Sequence, residues 1–246
     1  MNLKQVEQAL ISLDGYTGKI GCMGGEPTLH PKFEEICKLY QKYIPNERRG
    51  LWTNGVKWDK YEDIIRDTFP LKNIVFNAHD FTYTGQHQPL LIASQDIIKD
   101  EKLKKELIDK CWLQSRWSPS INPHGAFFCE VAAAMDLLFN LKGGWEPYVG
   151  WWRRDPKDFQ DQVNLYCRLC SAAIPFSKDV YASGKEYISV SNWSRLENTD
   201  NFTLYSKKYN KEDYERNVKS WKPGVFRNFY QCEPNKRLSK KEFEKL

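Results

Sequence analysis

The sequence predicts an α/β fold with a parallel sheet, and three observations carry that expectation. Short apolar runs alternate with segments of helical period through the first 110 residues. The first run, Gly18-Lys19-Ile20-Gly21-Cys22, feeds into Met23-Gly24-Gly25-Glu26-Pro27-Thr28-Leu29-His30-Pro31, where two glycines, a carboxylate and two prolines mark a strand-to-helix turn. The chain of 246 residues is 41% apolar and 14% aromatic, ample for a core, which excludes a disordered protein.

Taken in order, residues 2–13 carry Leu3, Val6, Leu10, Ile11 and Leu13 in an amphipathic helical pattern that Gly15 stops. A strand is expected over 18–22, then a helix over 32–43 with Phe33, Ile36, Cys37 and Tyr40 at helical spacing. His30 reads as a helix-start residue. A second strand over 50–53 ends in Thr53-Asn54-Gly55, a helix follows over 61–68, a third strand over 72–77 and a helix over 92–110. Polar groups gather after the third strand: His79, Asp80 and His87 could orient a substrate or relay a proton, or simply line a loop, and two histidines with seven residues between them are too loose a pattern for a metal site.

The alternation stops near residue 110. Strands over 117–121 and 126–129 flank Asn122-Pro123-His124-Gly125, which is turn chemistry, so a hairpin should deliver Cys129 from its returning strand. Residues 131–141 form an apolar helix with Ala132, Met135, Leu138 and Phe139 toward the core. In the following Gly143-Gly144-Trp145-Glu146-Pro147 and Gly150-Trp151-Trp152-Arg153-Arg154-Asp155-Pro156, the tryptophans either wall a substrate channel, with Arg153 or Arg154 on an anionic group, or pack a loop. The chain thus divides into 1–110, 111–180 and an aromatic, basic extension over 181–246.

The net charge of +5 resides in the tail, where residues 202–246 hold twelve Lys and Arg against six Asp and Glu. Aromatic residues interleaved with lysines would suit nucleic acid, but the charges alternate in sign instead of forming a stripe, and nucleic acid is not an expected partner. No apolar window approaches eighteen residues and no basic segment precedes an apolar run at the N-terminus, so neither a membrane span nor a signal peptide is expected and the location should be cytoplasmic.

Seven cysteines, an odd number, argue for thiolate chemistry or buried thiols over a disulfide framework. Cys22, on a strand, and Cys37, on a helix face, read as core thiols. Cys111, Cys129, Cys167 and Cys170 are separated by seventeen, thirty-seven and two residues. A Cys-x2-Cys turn lets two thiolates converge on one centre, and two distant cysteines can close a four-thiolate site for a [4Fe-4S] cluster or for zinc. Cys232 could replace Cys111 as the fourth ligand.

The run Met23 to Pro31, with the helix after it and Gly50-Leu51-Trp52-Thr53-Asn54-Gly55, closely resembles the second and third strand-helix units of radical S-adenosylmethionine (radical SAM) enzymes. The resemblance implies an incomplete partial (β/α) barrel, with Gly24, Gly25, Glu26 and Pro27 around the methionine end of S-adenosylmethionine and Thr53 and Asn54 near that cofactor. Residues 111–175 resemble the auxiliary iron-sulfur region, SPASM or its shorter form Twitch, that follows the barrel in many such enzymes. This implies a small cysteine-rich domain with one auxiliary [4Fe-4S] cluster on Cys111, Cys129, Cys167 and Cys170, and favours iron-sulfur over zinc.

The family's catalytic motif, Cys-x3-Cys-x2-Cys, is absent from the sequence. A helix feeding a parallel strand is half of a βαβ unit, so the expectation is that Met1 is an internal methionine of a longer protein, through truncation, a split gene or a misassigned start, or that a partner chain supplies the first strand and triplet. With that triplet, the implied activity is reductive cleavage of S-adenosylmethionine to methionine and a 5′-deoxyadenosyl radical that abstracts hydrogen from a substrate the sequence does not name. Without it, the alternative is a non-catalytic iron-sulfur or zinc-binding remnant or accessory subunit.

Overall fold

The computed structural model describes residues 1–76, 91–111, 113, 119–174, 186–205 and 209–210. By packing, the chain forms two units: Met1–Phe81 with Pro147–Trp152 and Glu233–Leu246, and Thr82–Glu146 with Arg153–Cys232.

In the first unit, α1 (Leu3–Ser12) starts on a capping box, with the Asn2 side chain accepting from the Gln5 N–H and the Gln5 side chain accepting from the Asn2 N–H. Strands β1 (Ile20–Cys22), β2 (Arg49–Thr53) and β3 (Ile74–Phe76) form a three-stranded parallel sheet in the order β1-β2-β3. The register pairs Gly21 with Gly50 and Thr53 with Phe76. Helices α2 (Phe33–Tyr43) and α3 (Trp58–Thr68) make the crossovers.

Residues from α1, α2, α3, β1 and β2 share one apolar core in which Phe33, Cys37, Leu51, Ile65 and Phe69 are fully buried. Leu51 faces that core, so strand alternation turns Trp52 to the other face of the sheet. There its ring lies over Gly21 and Gly50: a Cβ on either would come within 2.4 and 2.9 Å of it. The loop containing Trp151 also belongs to this unit, with the Trp151 Nε1 donating to Ser12 Oγ at 3.2 Å and the Trp152 ring edge-on to Tyr16. The architecture is therefore α/β with a parallel sheet; the described strands form an open sheet.

In the second unit the helix expected over 92–110 is two helices, α4 (Ser94–Ile97) and α5 (Glu101–Asp109). Asp100 separates them because its carboxylate accepts from the Lys102 and Leu103 N–H groups, starting a new helix instead of continuing the old one. The hairpin of β4 (Ser120–Asn122) and β5 (Gly125–Phe127) turns through Pro123 and His124. Gly125 has φ +127°, and a Cβ there would meet the Trp145 carbonyl at 2.4 Å. Helices α6 (Glu130–Phe139) and α7 (Gln160–Tyr166) pack behind it. The buried Gln162 joins these parts, accepting from the Phe128 N–H and donating to the Ala126 and Gly143 carbonyls. Strand β6 (Glu186–Tyr187), α8 (Val190–Glu197), α9 (Phe202–Tyr205) and β7 (Tyr209–Asn210), which pairs parallel with β6, complete the described elements. No described helix is long and apolar enough to cross a membrane.

Candidate functional sites

The first candidate lies at the carboxyl ends of β1 and β2, where parallel sheets expose their loops. The structure brings Gly24, Gly25, Glu26, Pro27, Thr53 and Asn54 into this one corner. A Cβ on Gly24 or Gly25 would meet nothing within 4 Å, so the fold itself leaves room for side chains at both exposed positions. Glycine here instead leaves bare backbone open to close approach. Pro27 is buried and opens the short turn Pro27–Leu29. His30 closes that turn toward α2, its ring accepting from the Lys32 N–H and meeting the Met1 carbonyl, a packing role.

Glu26 caps the same turn and ties it to β2. Its Oε1 accepts from the Thr28 N–H at 3.0 Å, the Thr28 hydroxyl at 2.7 Å and the Thr53 hydroxyl at 2.6 Å, and its Oε2 from the Asn54 N–H at 2.6 Å. Burial would raise its pKa, but the donors at Asn54, Thr53 and Thr28 outweigh burial and lower it. A carboxylate offers about four acceptor positions, so Glu26 is largely satisfied within its own corner; Oε2, with one donor, keeps room for another. Thr53 is buried and accepts from the Gly55 N–H, and Asn54 holds the Val56 N–H in a local turn.

The second candidate is built in the second unit from cysteines far apart in the chain. Cys111, Cys129, Cys167 and Cys170 all line one small pocket, partly open to solvent, with Leu113, Phe128, Val131, Ala132 and Met135 among its other walls. Cys111 follows α5, Cys129 is the N-cap of α6, and Cys167 begins the turn Cys167–Leu169 that α7 runs into.

Two elements hold the Cys167–Cys170 turn, which also closes on itself. The Ser94 hydroxyl of α4 donates to the Cys167 and Arg168 carbonyls at 3.0 and 3.1 Å. The Asn192 amide of α8 donates to the Leu169 carbonyl at 2.8 Å, and the Cys170 N–H closes on the Cys167 carbonyl at 3.3 Å. With its carbonyls drawn outward, the turn leaves the Ala172 N–H donating to the Cys170 sulfur at 3.2 Å.

Burial raises the Cys129 thiol to about 12, against the lowering influence of the Ala132 and Val131 N–H groups, although no side-chain capping hydrogen bond closes there. Burial likewise pushes Cys167 and Cys170 up, with neighbouring cysteines among the further causes for each. Such thiols stay protonated unless a metal displaces the proton. As placed, no three His, Cys, Asp or Glu side chains among the described residues are gathered to hold a single metal ion.

The remaining cysteines differ. Burial raises Cys22 and Cys37 to about 12, and both pack in or against the apolar core of the first unit. Cys232, His79, Asp80, His87 and most of the basic tail lie outside the described residues. Trp145 stacks on Phe159, and the Arg154 guanidinium lies 4.0 Å from the Trp145 ring centre, so these side chains pack together. Ser94, Asn192 and Gln162 carry no motif and could not be named from sequence, because each acts on residues 19 to 74 positions away. No family model matches the chain, and no curated protein is similar to it.

Proposed function

We propose that this chain is a radical SAM-type iron-sulfur protein that holds one auxiliary [4Fe-4S] cluster on Cys111, Cys129, Cys167 and Cys170. The single observation that carries the reading is the lining of one cavity by these four cysteines, drawn from across sixty residues of sequence. A neutral core would need no amide aimed at a sulfur, whereas a thiolate ligand is favoured by the Ala172 N–H at Cys170. One zinc ion would gather four thiolates about 3.8 Å apart, from the Zn–S length and a tetrahedral angle, while a cluster gives each thiolate its own iron and spreads them.

In this reading residues 1–110 form an incomplete barrel core, 111–180 the SPASM- or Twitch-like region, and 181–246 an extension. Gly24, Gly25 and Glu26 bind the methionine end of S-adenosylmethionine through bare backbone and the remaining Oε2 position; Thr53 and Asn54 set the carboxylate's angle. The bound cofactor supplies the radical chemistry, and this chain positions it. The Cys-x3-Cys-x2-Cys triplet comes from a further segment or partner chain, and a reducing compartment such as the cytoplasm suits free thiols.

A second reading, a non-catalytic remnant or accessory subunit, is favoured by Glu26, whose oxygens already accept four hydrogen bonds. Anaerobic reconstitution followed by equilibrium dialysis separates the two. The first predicts brown protein with about four iron per chain that binds S-adenosylmethionine, and weaker binding after Glu26→Ala. Iron without cofactor binding supports the second, and one zinc with no colour overturns the cluster.

A further inference from the structure

Cys167 and Cys170 differ from the other two cysteines of the pocket in being neighbours through their own backbone. The Cys170 N–H bonds back to the Cys167 carbonyl and closes a turn from residue i to i+3, and such a turn brings the Cα atoms at its ends within about 7 Å. A disulfide spans Cα atoms roughly 4.4–6.8 Å apart. Both residues line the same pocket, so the turn needs no rebuilding to bring their sulfurs together.

Two buried side chains fix the backbone of that turn. Ser94 donates to the Cys167 and Arg168 carbonyls, and Asn192 ties the Leu169 carbonyl to that of Leu91. With three successive carbonyls held, bridging the sulfurs takes side-chain rotation alone. Access sets this pair apart as well: Cys111 and Cys129 are buried, whereas Cys167 and Cys170 are half-buried beside a pocket partly open to solvent. The Ala172 N–H donates to the Cys170 sulfur at 3.2 Å, which favours that sulfur as the attacking thiolate.

We propose that Cys167 and Cys170 are a redox modification site, joined reversibly to each other by exchange with a low-molecular-weight disulfide such as oxidised glutathione. This goes beyond the iron-sulfur reading and does not depend on it. The Cys170 thiolate attacks one sulfur of the small disulfide, forming a mixed disulfide and releasing one small thiol. Cys167 then attacks the Cys170 sulfur and releases the second. The protein gives up two electrons as two thiols become one disulfide, the small disulfide is reduced to two thiols, and the two cysteine protons end on the released sulfurs. A bridged pair offers no thiolate, so oxidation withdraws two of the four cysteines from any metal, and reduction returns them. In a reducing compartment such a bridge is transient, as suits a redox sensor.

The test uses the full chain, stripped of metal by a chelator, incubated with oxidised glutathione and then unfolded in N-ethylmaleimide. The expected count is five blocked cysteines in place of the seven in the sequence, two having entered the bridge. Arg168 lies between the two cysteines, so trypsin cuts there and leaves residues 158–168 and 169–178 joined only by a disulfide. The expected peptide map shows one joined mass that reduction splits in two, lost in Cys170→Ser and kept in Cys111→Ser. Should a variant misfold, the map of the unaltered chain decides alone. Oxidised protein in which the two peptides separate, carry only glutathione, or are bridged to Cys111 or Cys129 overturns the proposal. Since the readout is taken on metal-free protein, that failure leaves the iron-sulfur reading standing.

Discussion

Glu26 in the first unit and the four cysteines of the second are polar groups removed in part from water, but their partners differ. Glu26 receives four donors from Thr28, Thr53 and Asn54. The cysteines ring a cavity with apolar walls, and the turn that carries two of them is held from behind by Ser94 and Asn192. A motif residue can thus be occupied by its own fold, whereas the four cysteines, drawn from distant parts of the sequence, share one pocket with apolar walls.

The largest effect that tests this contrast is on metal content. Replacing Cys167 with alanine should reduce bound iron from about four per chain to a small fraction, while Cys37→Ala should leave it unchanged; equal loss in both would erase the distinction between ligand and core thiols. Next comes Asp136→Ala: the buried carboxylate accepts from the Tyr166 hydroxyl and the Gly143 N–H and is hydrogen-bonded to His124, so its loss strands all three and should cost about 3 kcal/mol or more in urea unfolding.

Glu26→Ala should then cost roughly 1–3 kcal/mol without any ligand present, because the buried Thr53 hydroxyl loses its acceptor. Since the folded-state pKa of Glu26 is lowered, its contribution is complete above the unfolded value near 4.3 and is lost as pH falls through the folded one. The stability gap between wild type and Glu26→Gln should accordingly narrow below about pH 4; a gap independent of pH would contradict the hydrogen-bonded carboxylate. The smallest effect on stability belongs to Gly24→Ala, under about 0.5 kcal/mol, because nothing lies near the added methyl. A larger loss would show that the fold, not a ligand, demands glycine there.

Much of the fold was legible because apolar spacing is a local signal. The helix expected over 32–43 is Phe33–Tyr43, and the hairpin around Pro123 and His124 forms. Where a local competitor intervened, the period misled: Asp100 splits the expected helix over 92–110 by capping a second one. The helix expected over 61–68 begins earlier, at Trp58, since the indole packs into the core despite its polar neighbours Asp59 and Lys60.

The sites were legible by residue type and not by support. Cysteine is rare enough for its spacing to be read, so the four cysteines that line one pocket could be singled out from the sequence. Ser94, Asn192, Gln162 and Asp136 are ordinary polar residues whose roles arise only when helices from distant parts of the sequence converge. His124 read as a turn residue because its partner, twelve positions on, falls on the buried side of what looked like a plain apolar helix.

The central claim is that the cavity lined by Cys111, Cys129, Cys167 and Cys170 holds a [4Fe-4S] cluster. Iron, acid-labile sulfide and zinc determined together on anaerobically reconstituted protein test it most directly. The account predicts about four iron and four sulfide per chain, both lost in Cys129→Ala; one zinc per chain without sulfide, or iron retained in that variant, would contradict it.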